Sequence, residues 1–187
     1  MNDSLNQISS NKGQTETYAL RWKDKHWWAI FYVDDAHGAL SIQSDFGDFS
    51  YRWGAPGNCF KTFLTGLDDH YLMEKLSHGT NHGRYFYDME SVERLKKLVR
   101  QKCDEQGKSY EVYEDAIEEI DGYDCRDSNL FFHLAYTNDD LAGLLKEGDP
   151  HEIGDCIVTG FSPHLKQFVE KLWPGFVAVL KQELSHD

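Results

Sequence analysis

The chain has 187 residues and a formal net charge of −13 at pH 7, with 32 Asp and Glu against 19 Lys and Arg. This length fits a single domain, and 40% hydrophobic residues supply enough apolar area for a packed core, which excludes wholesale disorder. No apolar run approaches the roughly 18 to 20 residues of a membrane helix, and the polar start is unlike a secretory signal, so we expect a cytoplasmic protein.

The predicted strands come first in the chain. Residues 1–15 are polar and predict a flexible tail, followed by a single domain over residues 16–187. Within residues 16–57, four segments are either rich in aromatic and β-branched residues or alternate between apolar and polar side chains. They predict a four-stranded antiparallel β-meander over residues 18–22, 27–33, 39–44 and 49–53.

Residues 58–187 are predicted to be mostly helical. Two helices are expected near residues 59–64 and 68–76, and an amphipathic helix over residues 88–106 has a basic outer face. Further helices are predicted over residues 109–121, 128–136 and 163–184, the last one interrupted at Pro174. Short strands are expected at residues 84–87 and 156–158. The fold class is therefore α+β, with an N-terminal four-stranded antiparallel β-meander packed against C-terminal helices.

The net charge of the chain is confined to one acidic segment. Residues 104–155 contain 16 Asp or Glu and 3 Lys or Arg, whereas the rest of the chain contains 16 of each. The helix predicted over residues 109–121 buries a stripe formed by Tyr113, Ala116, Ile117 and Ile120. Its outer face is wholly acidic and consists of Glu111, Glu114, Asp115, Glu118, Glu119 and Asp121.

This acidic face has three possible explanations. Like charges three or four residues apart repel each other, by roughly 1 to 2 kcal/mol in total at low salt, so stability alone would favour interspersed lysines. A surface that binds a basic partner, or occupies a groove built for nucleic-acid phosphates, does favour clustered acids. A second explanation is that the acids simply form a solvated surface with no partner. A third is pairing with the preceding basic helix, which carries Arg94, Lys96, Lys97, Arg100 and Lys102.

No established catalytic motif occurs in the sequence, since a P-loop, a dinucleotide fingerprint and a G-x-S-x-G elbow are all missing. Two Asp/His groups are candidates for a metal-dependent hydrolase, but each lies at a turn or helix start where Asp is common anyway. These groups are Asp34, Asp35 and His37, and Asp68, Asp69 and His70. We predict no catalytic residue and no cofactor, and enzymatic activity stays open.

Histidine and cysteine spacing does not predict a metal site. His78 and His82 are four residues apart, but Gly79 and Gly83 disfavour the helix that such a pair needs. The cysteines are widely separated without a C-x-x-C pair, so we interpret them as buried or free thiols, with a disulfide or metal role as the alternative. They are Cys59, Cys103, Cys125 and Cys156.

Three stretches resemble uncharacterised accessory proteins of tailed phages and prophages. They are residues 41–54, residues 63–64 through 69–76, and residues 168–184 with their Trp173-Pro174 pair. The resemblance implies a modulator of host machinery, such as an inhibitor of a CRISPR-Cas or restriction system. Such inhibitors are often acidic because their targets contain nucleic-acid grooves. No functional residue carries over, because the similar stretches are core and turn motifs.

The leading hypothesis is a stoichiometric inhibitor in the bacterial cytoplasm that binds a basic host protein or ribonucleoprotein complex. The partner-binding residues would be Glu111, Glu114, Asp115, Glu118, Glu119 and Asp121. The alternatives are a metal-dependent hydrolase using an Asp/His cluster and a virion assembly component. The overall negative charge disfavours direct nucleic-acid binding. The oligomeric state is left open.

Overall fold

The computed structural model describes residues 12–78, 85–123, 127–145 and 151–186. The chain divides into two compact units, and each has a hydrophobic core of its own. The first unit comprises Met1–Gly83 and Phe161–Asp187, and the second comprises Arg84–Gly160. The second unit is thus inserted, in sequence, between the two segments of the first. That residues 16–187 behave as one cooperative domain stays a prediction.

The first unit begins with the predicted meander. Its strands are β1 (Glu16–Trp22), β2 (Trp27–Asp34), β3 (Ala39–Ser44) and β4 (Gly47–Arg52), paired antiparallel in the order β1-β2-β3-β4. Alternate side chains such as Phe31, Ile42 and Phe49 point to one face and are buried. The structure confirms both the α+β class and the sheet topology.

The turn between β2 and β3 requires glycine. Gly38 has φ 62°, and a Cβ atom there would lie 2.8 Å from the Trp53 carbonyl oxygen and 2.9 Å from Pro56 Cγ. Both the backbone conformation and the close approach therefore exclude a larger residue. The Trp53 N–H also donates to the Gly38 carbonyl oxygen at 2.9 Å, which fixes the end of β4 against this turn.

Two helices follow the sheet, α1 (Phe60–Thr65) and α2 (Asp69–Ser77). Helix α2 begins where its sequence indicates, because the Asp68 carboxylate accepts a hydrogen bond from the Tyr71 N–H at 2.9 Å. Phe60, Leu64, Leu72 and Leu76 are fully or almost fully buried against the inner face of the sheet.

The second unit is mainly helical. It contains β5 (Tyr85–Phe86), α3 (Asp88–Gln106), a 3-10 turn (Tyr110–Tyr113), α4 (Glu114–Gly122), α5 (Ser128–Thr137), α6 (Asp139–Leu145), α7 (His151–Asp155) and β6 (Thr159–Gly160). Two predictions need correction. The helix predicted over residues 109–121 starts as a 3-10 turn. The second short strand lies at Thr159–Gly160, because these residues pair with Tyr85–Phe86, rather than at residues 156–158.

The C-terminal helices, α8 (Pro163–Lys171) and α9 (Trp173–Leu184), return to the core of the first unit. The predicted interruption is confirmed: Leu172 separates the helices, and Pro174 lies in the first turn of α9, where its missing N–H is tolerated. The rings of Phe31 and Phe176 stack with centroids 3.9 Å apart, joining β2 to α9. No helix among the described residues is long and apolar enough to cross a membrane.

Candidate partner-binding surface

The six predicted binding residues all lie on the exposed side of the α4 region. Glu111 belongs to the 3-10 turn and the other five belong to α4, and each of the six side chains is exposed. The opposite side is the stripe of Tyr113, Ala116, Ile117 and Ile120, with exposed fractions of only 7, 4, 1 and 2%. Because this stripe anchors α4 in the core of the second unit, the carboxylates project from a fixed helix.

Pairing with the basic helix accounts for only one of these acids. Lys96 Nζ of α3 lies 3.2 Å from Asp121 Oδ2 and 3.0 Å from Glu93 Oε1. The hydrogen bond to Glu93 raises the pKa of Lys96 above its ordinary value, burial opposes this, and the bond to Asp121 adds to it. Within the described part of the chain, the other five acids of the face take part in no ion pair.

Most of the other cations of α3 are engaged elsewhere in the second unit. Lys102 Nζ lies 2.8 Å from Glu152 Oε1, and Arg94 Nη1 donates to the Asp155 carbonyl oxygen at 3.2 Å. The Arg100 guanidinium lies 4.6 Å from the centre of the Tyr110 ring. Neutralisation by α3 was a sequence-based alternative, but among the described residues Lys96–Asp121 is its one ion pair with the acidic face.

Two exposed apolar side chains flank the acids, and sequence reasoning missed both. Val112 is 66% exposed in the 3-10 turn before α4, and Tyr123 is 49% exposed just after it. Helical spacing gave no signal for Val112, since it lies four residues before Ala116 and would continue the buried stripe of an uninterrupted helix. Apolar and aromatic groups are common at the centres of protein interfaces, where charges alone contribute little.

In the first Asp/His group, Asp34 and His37 contact each other, whereas Asp35 holds the start of a helix. His37 Nδ1 lies 2.8 Å from Asp34 Oδ2, and this hydrogen bond lowers the pKa of Asp34 below its ordinary value. Asp35 is directed elsewhere, because its Oδ1 accepts the Phe60 N–H at 3.1 Å at the start of α1. The three side chains do not converge on a common point as a hydrolase centre would need.

The second group and the histidine pair also have local structural contacts. Asp68 caps α2, and the His70 ring packs edge-on against Phe161 with centroids 5.4 Å apart. His78 Nδ1 lies 2.6 Å from the Glu74 carbonyl oxygen, while His82 lies outside the described residues. Across the described ranges, no group of three or more His, Cys, Asp or Glu side chains is arranged to hold a metal ion.

The cysteines that the structure describes are free thiols. Burial raises the pKa of Cys156 to about 11 and also raises that of Cys103, whereas a hydrogen bond with Thr62 lowers the pKa of Cys59. Cys125 lies outside the described residues. The interpretation as buried or free thiols therefore holds for Cys59, Cys103 and Cys156.

Comparison of the sequence with known protein families finds one family that matches most of the chain. A family model described as a phage family matches residues 8–182, which include the whole second unit and most of the first. The chain belongs to this phage family. The phage resemblance of the sequence is thereby confirmed. No curated protein and no solved structure matches the chain.

Proposed function

We propose that this phage-family protein is a stoichiometric inhibitor or modulator of a basic, nucleic-acid-handling host protein, of the anti-CRISPR or anti-restriction type. It binds through the acidic face formed by Glu111, Glu114, Asp115, Glu118, Glu119 and Asp121. One observation carries the proposal. Five of these carboxylates are exposed on one fixed helical element and have no ion-pair partner among the described residues.

The charge density of the face is of the order found on a nucleic acid. Glu111 to Glu119 span about 12 Å along a helix axis, at about 1.5 Å per residue. Over a similar length, duplex DNA carries about seven phosphates counted on both strands. Five unpaired carboxylates therefore offer a basic groove an electrostatic substitute for one side of a duplex. Such a mimic also gains association rate from steering, because its charge is concentrated on one surface.

Val112 and Tyr123 give the surface more than charge. Salt and water weaken exposed ion pairs, so a tight complex needs contacts that exclude water. Val112 follows Glu111 and Tyr123 follows the end of α4, so the two apolar side chains are about 11 residues apart, or roughly 16 Å if helical throughout. We expect them to pack on apolar parts of the partner while the carboxylates between them meet its basic residues.

The test is capture of host proteins from lysate, followed by kinetics with the purified partner. The variant is Glu114→Lys with Glu118→Lys. Its control, Glu74→Lys with Glu170→Lys, changes the net charge equally but at exposed residues of the first unit. The first variant should slow association at least about tenfold at low salt and abolish inhibition, because it reverses charge at the surface itself.

The control pair should change association only slightly. Equal association rates for the two charge-matched variants would show that only the net charge of the chain matters. The acidic face of α4 would then not be the binding surface. A stoichiometric amount of the chain in purified virions would favour the assembly role over inhibition. Chelator-sensitive turnover of nucleotides would favour the hydrolase instead.

A further inference from the structure

The outer face of the four-stranded sheet contains an apolar row that neither core uses. Strands β1, β3 and β4 direct polar or small side chains outward, as an antiparallel sheet facing solvent does. Strand β2 departs from this pattern with Trp28, Ile30 and Tyr32, which are all half-buried. None of the three belongs to either hydrophobic cluster, although their neighbours in sequence, Ala29, Phe31 and Val33, lie at the centre of the inner face.

Strand register defines the surroundings of this row. Trp28 lies opposite Arg21, Ile30 lies between Ala19 and Gln43, and Tyr32 lies between Thr17 and Ser41. The Tyr32 hydroxyl donates to Gln43 Oε1 at 3.3 Å across the same face. Helices α1, α2, α8 and α9 pack with the buried inner side chains instead. The row is therefore bordered by small or uncharged side chains, with Arg21 and Asp45 on either side of its Trp28 end.

Three cations lie at that end of the sheet. Arg21, Lys23 and Lys25 are exposed and, in the described part of the chain, form no ion pair. Asp24 lies among them, and exposed Asp48 lies on the same outer face, opposite Gln43. Asp45 is engaged locally, because its Oδ2 accepts the Trp28 N–H at 2.7 Å. The acidity that disfavours an anionic ligand belongs mostly to the other unit. Residues 84–160 hold 19 acids and 9 bases, whereas the rest of the chain holds 13 and 10.

The dimensions of the face favour a narrow, extended ligand. Four strands at about 4.8 Å spacing and six residues at about 3.3 Å give a surface of roughly 14 by 20 Å. This is well below the ~800 Å² per partner of a standard protein interface. Trp28 and Tyr32 are four residues apart, or about 13 Å, which two extended nucleotides can bridge.

We propose that the outer face of the sheet is a stacking platform for single-stranded nucleic acid. Bases stack on Trp28 and Tyr32, and the basic end formed by Arg21, Lys23 and Lys25 contacts the phosphates. Aromatic rings on an open sheet suit this ligand because every base offers a π-face, and nearby cations compensate its charge. This activity does not depend on the acidic face of α4 and adds a second binding surface to the chain.

The test is fluorescence anisotropy of a labelled oligothymidylate of about 12 nucleotides at low salt, with the full chain. Non-specific binding in the range of about 1 to 100 µM is expected. Trp28→Ala and Tyr32→Ala should each weaken binding at least about fivefold, whereas Trp28→Phe should retain it, because stacking depends on the ring. Arg21→Gln should reduce the salt dependence by about 0.7 in log–log slope. Thr17→Ala, on the same face, is the control.

Thermal melts must show that the variants are folded. The proposal is overturned if the wild-type chain does not bind the oligonucleotide at low salt, or if both alanine variants bind as tightly as the wild type. A chain that ignores the oligonucleotide but loses a captured host protein on Trp28→Ala would have a protein-docking sheet instead. The Glu114→Lys, Glu118→Lys variant should still bind the oligonucleotide, which separates this proposal from that for the acidic face.

Discussion

At the scale of single residues, Lys61 is the most connected charged group of the first unit. Its Nζ lies 2.6 Å from Glu16 Oε2 and 2.5 Å from Glu183 Oε1. The Tyr18 hydroxyl lies 2.8 Å from Glu16 Oε2 and 2.9 Å from Glu183 Oε2, so its single proton is shared between the two carboxylates. Burial acts to lower the pKa of Lys61, but the hydrogen bonds with Glu16, Glu183 and Tyr18 outweigh it and raise that pKa. The network links β1, α1 and the last turn of α9.

The same network makes the stability of the first unit depend on pH in the acidic range. Hydrogen bonds from Lys61, and then from Tyr18, hold the pKa values of Glu16 and Glu183 below their ordinary 4.5. Carboxylates with lowered folded-state pKa values contribute stability above about pH 4.5, and that stability is lost as the pH falls through the folded-state values. We therefore expect the free energy of unfolding to fall between pH 5 and pH 3.

Lys61→Met should reduce that acid dependence and lower stability at pH 7 by about 1 to 2 kcal/mol, because two carboxylates lose their cation. The loss is modest because Glu16 and Glu183 are 50 and 34% exposed, so water screens their attraction to Lys61. Urea unfolding at pH 7, 4.5 and 3 measures both effects, with exposed Lys181→Met as the control. Parallel pH profiles for Lys61→Met and the wild type would contradict the assignment.

We expect the Asp35 side chain to stabilise the fold. Because its carboxylate accepts the Phe60 N–H at the start of α1, Asp35→Ala should lower the free energy of unfolding by about 1 kcal/mol. Asp24→Ala, which removes an exposed turn carboxylate, should change it by less than about 0.5 kcal/mol. Chemical denaturation compares the two. A metal-dependent turnover that Asp35→Ala abolishes without loss of stability would instead support the hydrolase.

At the scale of elements, α4 combines a stabilising buried stripe with a destabilising outer face. Glu118 lies four residues after Glu114 on the same side of the helix, so the two carboxylates repel each other. Glu118→Lys removes this repulsion and creates an i, i+4 pair, so it should stabilise the fold by about 0.3 to 0.5 kcal/mol. The same change should weaken partner binding. Thermal melts and binding kinetics measured together test for these opposite effects, and a loss of stability would contradict the expectation.

Helical periodicity was sufficient to predict the buried stripe of α4, but not every detail around it. A 3-10 turn and an α-helix share similar short-range spacing, so the sequence did not distinguish them at Tyr110–Tyr113. The Lys96–Asp121 contact joins residues 25 positions apart and depends on how α3 and α4 pack. The local pattern therefore predicts which side chains face outward, whereas their partners follow from tertiary structure.

The sheet was predictable for the same local reason. Aromatic runs, period-two alternation and glycine turns defined all four strands within a few residues. The two-residue strands were harder, because Thr159–Gly160 has no strand pattern of its own and is ordered by pairing with Tyr85–Phe86. The outward Trp28, Ile30 and Tyr32 were also missed as a surface, since a run of seven apolar residues hides which ones face the core.

At the scale of the whole molecule, tryptophan placement provides a test of cooperativity. All five Trp residues lie in the first unit, at positions 22, 27, 28, 53 and 173. Leu95 is fully buried in the second unit, so Leu95→Ala should destabilise that unit by about 2 to 5 kcal/mol. If residues 16–187 form one cooperative domain, as the length of the chain predicts, tryptophan fluorescence should report the same loss.

The measurement is urea unfolding followed both by fluorescence and by far-ultraviolet circular dichroism. Coincident transitions, both shifted by Leu95→Ala, are expected for one cooperative domain. Val179→Ala, at a partly exposed site of α9, is a control for a small change in the first unit. An unshifted fluorescence transition beside an early loss of helix would mean that the two units unfold separately.

The pairing of β5 with β6 brings the two ends of the second unit, which contains the acidic face, close together. Because Tyr85 pairs with Gly160, the chain enters and leaves the second unit at neighbouring positions, about 5 Å apart as in any antiparallel pair. A segment with adjoining ends can replace a hairpin loop in an unrelated carrier without stretching it. The second unit therefore has the end geometry that grafting into a hairpin of another protein requires.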